Sequence, residues 1–300
     1  MAEIFADDLI DFAQYMQDTD SDHRVRPASE YAKEVEEYFH GTEHDHGIKL
    51  PWAKTHDKIA IRPNEVTVWG GYNGHGKSAV IGQVVMHFMR QYRHRVCIAS
   101  MEMKPYITLA RMCRQAAGCI PEPEYIHRFH KGTNGLLWMY DQQGTVSGDK
   151  MAAVIRYAHE KHQVQHFVID SLLKCGFAED DYNGQKFFVD KLCSIARDTG
   201  VHVHLVHHSR KSDSKAGSEH KIPTKADMRG TGSIIDQVDN LIIVWRNKKK
   251  EEDTQSGAVP SNDSDAVLAI EKQRNGEWEG KIALWFDVKG RGLIESGATF

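Results

Sequence analysis

Apolar positions recur along this chain in two rhythms, one near 3.6 residues and one of two, and the way they alternate predicts the fold. Near the start, Phe5, Leu9, Phe12 and Met16 form one helical stripe, and Tyr31, Val35 and Phe39 form another after the turn-like Arg26-Pro27-Ala28-Ser29. The pattern predicts two short amphipathic helices in an extension over residues 1–48. Their stripes need a partner, which is either the body of the chain or a neighbouring copy in an assembly. From residue 49 to residue 300, strand-like and helix-like segments alternate as one body. Val66-Thr67-Val68-Trp69 reads as a strand, followed by a helix from Lys77 to about Arg93 with Val80, Val84 and Phe88 at every fourth position. A strand over 95–99 and a helix through Thr108 to Ala117 come next. Further apolar runs occupy 136–140, 166–170, 201–206, 240–244, 266–270 and 281–286; helix-like segments separate the earlier runs, and the later ones crowd together. This order predicts an α/β fold, a mainly parallel twisted sheet flanked by helices and finished by antiparallel C-terminal strands. The stretch 248–265 mixes charge blocks with Gly, Pro, Ser and Asn, and reads as a long flexible loop.

The first strand runs into Gly71-Tyr72-Asn73-Gly74-His75-Gly76-Lys77-Ser78, a complete G-x-x-x-x-G-K-[ST] phosphate loop. Its glycines let backbone N–H groups turn inward around an anion, and the helix behind presents its positive dipole end to the same anion. Gly71, Gly74, Gly76, Lys77, Ser78 and Ala79 are therefore the candidate contacts for a nucleoside triphosphate, ATP or another, with Lys77 on the outer phosphates and Ser78 on Mg²⁺. An ordinary glycine turn is the alternative. The strand before it and the helix after it are what phosphate binding requires. Ligands on such sheets lie at the carboxyl ends of strands, where Asp170 ends the run Phe167-Val168-Ile169 and can share the Mg²⁺ with Ser78. Glu102 follows another strand at the same edge and either activates the attacking water or serves as an acid favoured at a helix N-terminus.

Composition narrows the remaining choices. A formal net charge of −4 excludes a protein that coats nucleic acid through overall positive charge, so any such contact is local. Cys97, Cys113, Cys119, Cys175 and Cys193 are scattered without a C-x-x-C pair, which predicts free thiols and a reducing cytoplasm. No apolar stretch suits an export signal or a bilayer span, and no membrane partner is expected. Among the 18 histidines, His202 and His204 share a strand face without ligand-like company, and Glu43-His44-Asp45-His46 reads as a solvated loop. A metal cluster is not expected from them.

Three further segments follow the phosphate loop in order: Ser100-Met101-Glu102-Met103, Asp227-Met228-Arg229-Gly230-Thr231-Gly232-Ser233-Ile234 and Glu271-Lys272-Gln273-Arg274-Asn275-Gly276. With them, residues 48–290 resemble the RecA-like P-loop NTPase motor of DnaB-type (superfamily 4) hexameric replicative DNA helicases, including the helicase halves of phage primase-helicases and of Twinkle. The resemblance implies an ATP-dependent DNA helicase that forms a ring, moves on single-stranded DNA and unwinds a replication fork. By position, it makes Glu102 the catalytic glutamate, His208 the polar switch that senses the γ-phosphate, and Lys272 with Arg274 the basic pair reaching the adjacent subunit's site, Arg274 being the arginine finger. A solvated hairpin tip at Asn275-Gly276 is compatible with that role.

The basic stretch with Arg210, Lys211, Lys215, Lys221 and Lys225, and the turn at Arg229, Gly230 and Gly232, would line the channel and hold DNA phosphates; simple solvation is the other reading. The implied partners are single-stranded and fork DNA, further copies of the chain, most simply six, and a separate primase, polymerase or loader, in the cytoplasm (the host's, if the chain is phage-encoded). No zinc-binding primase module is read ahead of the motor. Residues 1–48 would hold a linker helix that docks on the next subunit. A RecA-like recombinase, or a strand-binding accessory ATPase without unwinding activity, shares the phosphate loop and sheet. An assembly ATPase of circadian-clock or signalling type does too. Arg229-Gly230-Thr231-Gly232 and the Glu271 to Gly276 segment stand against the recombinase.

Overall fold

A computed structural model of the chain describes residues 3–5, 27–41, 47–178, 180–209, 218–228, 232–257 and 261–295. In chain order the elements are β1 (Glu3–Phe5), α1 (Ala32–His40), β2 (Ile48–Lys49), β3 (Ala60–Ile61), β4 (Val66–Gly70), α2 (Lys77–Tyr92), β5 (Val96–Ser100), α3 (Pro105–Ala117) and α4 (Pro123–Thr133). There follow β6 (Leu137–Tyr140), α5 (Gly148–His162), β7 (His166–Asp170), α6 (Tyr182–Thr199), β8 (His202–Val206), α7 (Gly232–Gln237), β9 (Asn240–Arg246), α8 (Lys248–Gln255), β10 (Ala266–Gln273), β11 (Gly280–Phe286) and β12 (Leu293–Ile294).

Ten strands form one sheet in the order β1-β6-β5-β7-β8-β4-β9-β10-β11-β12. Pairing is parallel from β1 through β9 and antiparallel from β9 to β12, the mixed architecture that the apolar pattern predicts. Both faces are covered, because successive residues on a strand point to opposite sides. Val66 and Val68 of β4 join one core with α5, α6 and α7, while Trp69 joins the other with α2 and α3. Leu241, Ile243 and Trp245 of β9 likewise oppose Ile242 and Val244.

Local chemistry sets the helix ends. The Ser147 hydroxyl accepts from the Lys150 N–H at the start of α5, and Asp181 accepts from the Gly184 N–H at the start of α6. At the other end of α6, Gly200 takes a left-handed φ of 80° and its N–H bonds back to the Ala196 carbonyl.

The structure departs from the apolar reading in two places. Phe5 belongs to a strand rather than a helix: Glu3–Phe5 pairs with Trp138–Tyr140, where the outer edge of β6 offers unpaired backbone groups. Leu9, Phe12 and Met16 lie outside the described residues. Part of the expected 248–265 loop is the helix α8, which Asn247 starts by accepting from the Lys250 N–H. None of its residues is buried, so apolar periodicity had nothing to register there.

The second N-terminal helix forms as expected, and its stripe stays open to solvent, with Tyr31, Val35 and Phe39 at 40%, 51% and 68% exposure. All five cysteines are free thiols. Glu43 to His46 fall outside the described residues.

His202 and His204 do share one face of β8, in the core rather than at a metal. The Trp69 indole N–H donates to His204 Nδ1 (3.1 Å), which leaves the His204 proton on Nε2 to donate to His166 Nδ1 (3.2 Å). His166 in turn donates from Nε2 to His94 Nδ1 (2.9 Å). One indole thus fixes the tautomer of three neutral rings. Among the described residues no group of three or more His, Cys, Asp or Glu is placed to hold a metal ion, and no helix is long and apolar enough to cross a membrane.

Candidate active site

The carboxyl ends of β4, β5, β7 and β8 converge on one edge of the sheet. Beyond β4, the chain must pass against the backbone of β9. A Cβ on Gly71 would run into the Val244 carbonyl oxygen, and φ there is +141°, so only glycine fits. Gly76 takes a left-handed φ of 86° as α2 begins, turning the loop's N–H groups toward the cavity. The resulting cleft holds about 940 Å³ and includes Asn73, Gly74, Gly76, Lys77, Ser78, Ala79, Glu102, Asp170 and His208 in its lining.

Within it, the Ser78 hydroxyl donates to Asp170 Oδ2 at 2.5 Å. The Lys77 ammonium donates to the Gly71 and Tyr72 carbonyls at 2.8 and 2.9 Å, and burial pulls its pKa down to about 8 against the opposing pull of Asp170 and Glu102. Burial pushes the Asp170 carboxyl up, while the Ser78 hydrogen bond holds it down. Ser100 of β5 pairs with Asp170 of β7, and this brings Glu102 beside the loop. Ser171, which follows Asp170 through a cis peptide, donates from its hydroxyl to Glu102 Oε1 at 3.0 Å. His208 Nε2 stands 3.8 Å from the same oxygen, its pKa lowered first by burial and then by Lys77.

The arrangement suits a magnesium nucleotide. A hydroxyl and a buried carboxylate in contact are hard oxygen donors, and Mg²⁺ takes few protein ligands because phosphates and waters complete its shell. Lys77 supplies positive charge, and Glu102 is a carboxylate oriented by Ser171.

The other residues expected at the site divide into two groups. Lys272 and Arg274 lie at the opposite edge: β10 runs antiparallel to β9, so its end pairs with the start of β9, Gln273 opposite Asn240. The Arg274 N–H donates to the Asp239 carbonyl, and Asp239 is bonded to the backbone of Val66 at the start of β4. The length of β4 separates Val66 from Gly71, about 16 Å along the sheet. There the Lys272 ammonium donates to the Ile235 and Asp236 carbonyls and the Arg274 guanidinium to those of Asp236 and Gln237, so the pair caps the C-terminus of α7. Of the expected DNA contacts, Lys225 and Gly232 are described, whereas Arg210, Lys211, Lys215, Arg229 and Gly230 lie outside the described residues. Lys225 is exposed, its N–H donating to Glu271 and its ammonium 3.5 Å from Asp236.

Several lining residues escaped the sequence reading. Arg111 and Arg114 come from α3, at a spacing that shares a face but carries no distinctive signal. Arg246, Phe286 and Arg291 come from the C-terminal part of the chain, with the two guanidinium carbons 5.1 and 6.0 Å from the Phe286 ring centre. A flat cationic and aromatic wall of this kind can stack a base.

With this geometry in view, comparison with known proteins assigns the chain. The model of the DnaB-like helicase C-terminal domain matches residues 57–291. The chain belongs to that family. A search of curated proteins by sequence gives no match. Among solved structures the ATPase domain of another helicase is similar, with a TM-score of 0.73 and 15% identity over 90% of this chain and 99% of that one. A DnaB-like replicative helicase, solved in a study of its interactions with primase, has a TM-score of 0.72 and 16% identity over 90% of this chain and 68% of that one. The sheet is thus that of the RecA-like helicase motors, and membership of the family makes the chain a nucleotide-binding helicase ATPase of DNA replication.

Proposed function

We propose that the chain is the motor of a ring-shaped replicative helicase that hydrolyses ATP between subunits, moves on single-stranded DNA and unwinds duplex at a fork. The observation that carries this reading is the separation of its two charged groups. Lys77, Ser78, Glu102 and Asp170 share one edge of the sheet, and Lys272 with Arg274 occupies the other. A head-to-tail ring turns that separation into a complete site at every interface, one subunit's finger meeting the next subunit's phosphate loop. In this scheme Ser78 and Asp170 hold Mg²⁺, which offsets phosphate charge when bound. Lys77 binds the outer phosphates, Glu102 draws a proton from the attacking water, and Arg274 stabilises charge on the transferred phosphoryl group.

His208 lies beside both Lys77 and Glu102, and so is suited to passing the state of the γ-phosphate on to the basic stretch after it. Arg210, Lys211, Lys215, Lys225, Arg229, Gly230 and Gly232 are assigned to DNA phosphates. Converging copies of one basic stretch would reconcile DNA binding with a net charge of −4. Residues 49–300 act as the motor and residues 1–48 as an extension between subunits, a role supported by the exposed stripe of α1. A separate primase is the companion this reading calls for, and one structural relative was solved in a study of such contacts.

The test is unwinding of a forked duplex by the wild type beside Lys77→Ala and Arg274→Ala. Both variants should be inactive, and wild-type ATPase should rise with single-stranded DNA. DNA affinity should fall with salt at about 0.7 decade per decade for each phosphate neutralised. ATPase that is full in isolated monomers and indifferent to DNA would refute the proposal.

A further inference from the structure

His75, inside the phosphate loop, has a contact of its own to the end of the basic stretch. Its ring is buried, and Nδ1 accepts from the Arg246 N–H at 3.1 Å. Burial, with Lys248, Lys77 and Arg246 against Glu219, brings its pKa down to about 4, so at neutral pH the ring is uncharged and its one proton sits on Nε2. That N–H has no hydrogen-bond partner among the described residues. A carboxylate oxygen, Glu219 Oε2, stands 4.0 Å away, about 1 Å beyond hydrogen-bonding range. A buried donor left unsatisfied costs about 1–3 kcal/mol, so a small approach of Glu219 is favourable.

Glu219 is held where such a shift would matter. Its carbonyl accepts from the Trp245 indole at 2.9 Å, and the next residue, His220, pairs with Glu252 of α8 at 3.3 Å. Exposed Lys221 follows at once, and Lys225 is reached before Met228 closes the segment against Ser209. The segment 218–228 therefore begins at the phosphate loop and, through Lys225, ends beside Glu271 near the finger.

We propose that His75 is a positioning residue which couples the phosphate loop to the basic segment: movement of the loop on nucleotide binding makes or breaks the His75–Glu219 hydrogen bond and so repositions Lys221 and Lys225. This rests on the helicase reading above, and adds a second connection to the one through Glu102 and His208.

The test is Glu219→Gln in the full chain, with His75→Asn and the double variant completing a mutant cycle. Glu219 is one-third exposed and its fold contact to Trp245 is through the backbone, so the variant should fold. The readout is the ratio of ATPase with a saturating oligothymidylate to ATPase without DNA. Glu219→Gln should keep basal turnover and the KM for ATP within about twofold of wild type and lower the ratio at least about fivefold. Adding His75→Asn to Glu219→Gln should lower it no further, since both remove one bond. A wild-type ratio in Glu219→Gln overturns this coupling alone. A wild type that DNA does not stimulate overturns the helicase reading as well.

Discussion

Acid should unfold this protein through its buried histidines, and His202 allows the size of the effect to be worked out. In the neutral ring Nδ1–H donates to the Arg62 carbonyl at 2.5 Å, while Nε2 accepts from the Thr67 hydroxyl at 2.8 Å. Thr67 is itself held by the Asn240 amide, which donates to its oxygen at 3.1 Å. A second proton on His202 would have to displace the Thr67 hydrogen. Burial lowers the pKa to about 4, with the Arg62 carbonyl and Asp239 pulling upward and the Arg62 guanidinium downward.

The unfolded chain restores a value of about 6.5. Because the folded-state pKa is the lower, the unfolded state binds more protons between these values; the stabilisation is whole above pH 6.5 and is lost as pH falls toward 4. At pH 5 the loss relative to pH 7.5 comes to about 2 kcal/mol for this residue. His166 and His204, also pushed well down by burial, act in the same direction. Urea unfolding at pH 7.5 and pH 5.0 measures it. His202→Gln should start less stable, yet lose about 2 kcal/mol less than wild type across the interval. If the variant and wild type fall in parallel, His202 is not neutral in the folded protein and the argument fails.

Three substitutions test the site. Gly71→Ala should lose roughly 2–4 kcal/mol of stability, because its Cβ meets the Val244 carbonyl, and a chemical-denaturation midpoint equal to wild type would show that the strand edge yields. Glu102→Gln should lower ATP turnover by about 10²–10³ with ATP affinity unchanged within about threefold; a change confined to KM would make Glu102 a binding group instead. Arg274→Ala should lose about 10³ or more in turnover. Mixing it with Lys77→Ala should restore part of that activity, because one variant keeps the pocket and the other the finger. No recovery in ring-forming mixtures would count against a finger supplied in trans.

The sequence alone determined the elements whose signals are local. The phosphate loop is contiguous, so its glycines, Lys77 and Ser78 declare themselves within eight residues. Asp170 and Glu102 are legible because strand ends can be read from apolar runs, and parallel strands bring their ends to one edge. The helix at 248–255 was hidden because its charged residues carry no apolar period, and the strand at 3–5 because pairing with β6, not its own pattern, decides it. Only the tertiary structure decided that Lys272 and Arg274 stand away from the pocket, that one indole sets the tautomers of three histidines, and that Arg246, Phe286 and Arg291 form one wall of the cleft. Those facts depend on register and strand order among segments far apart in the chain, and such pairings are chosen by the burial of both sheet faces together rather than by any short run of residues.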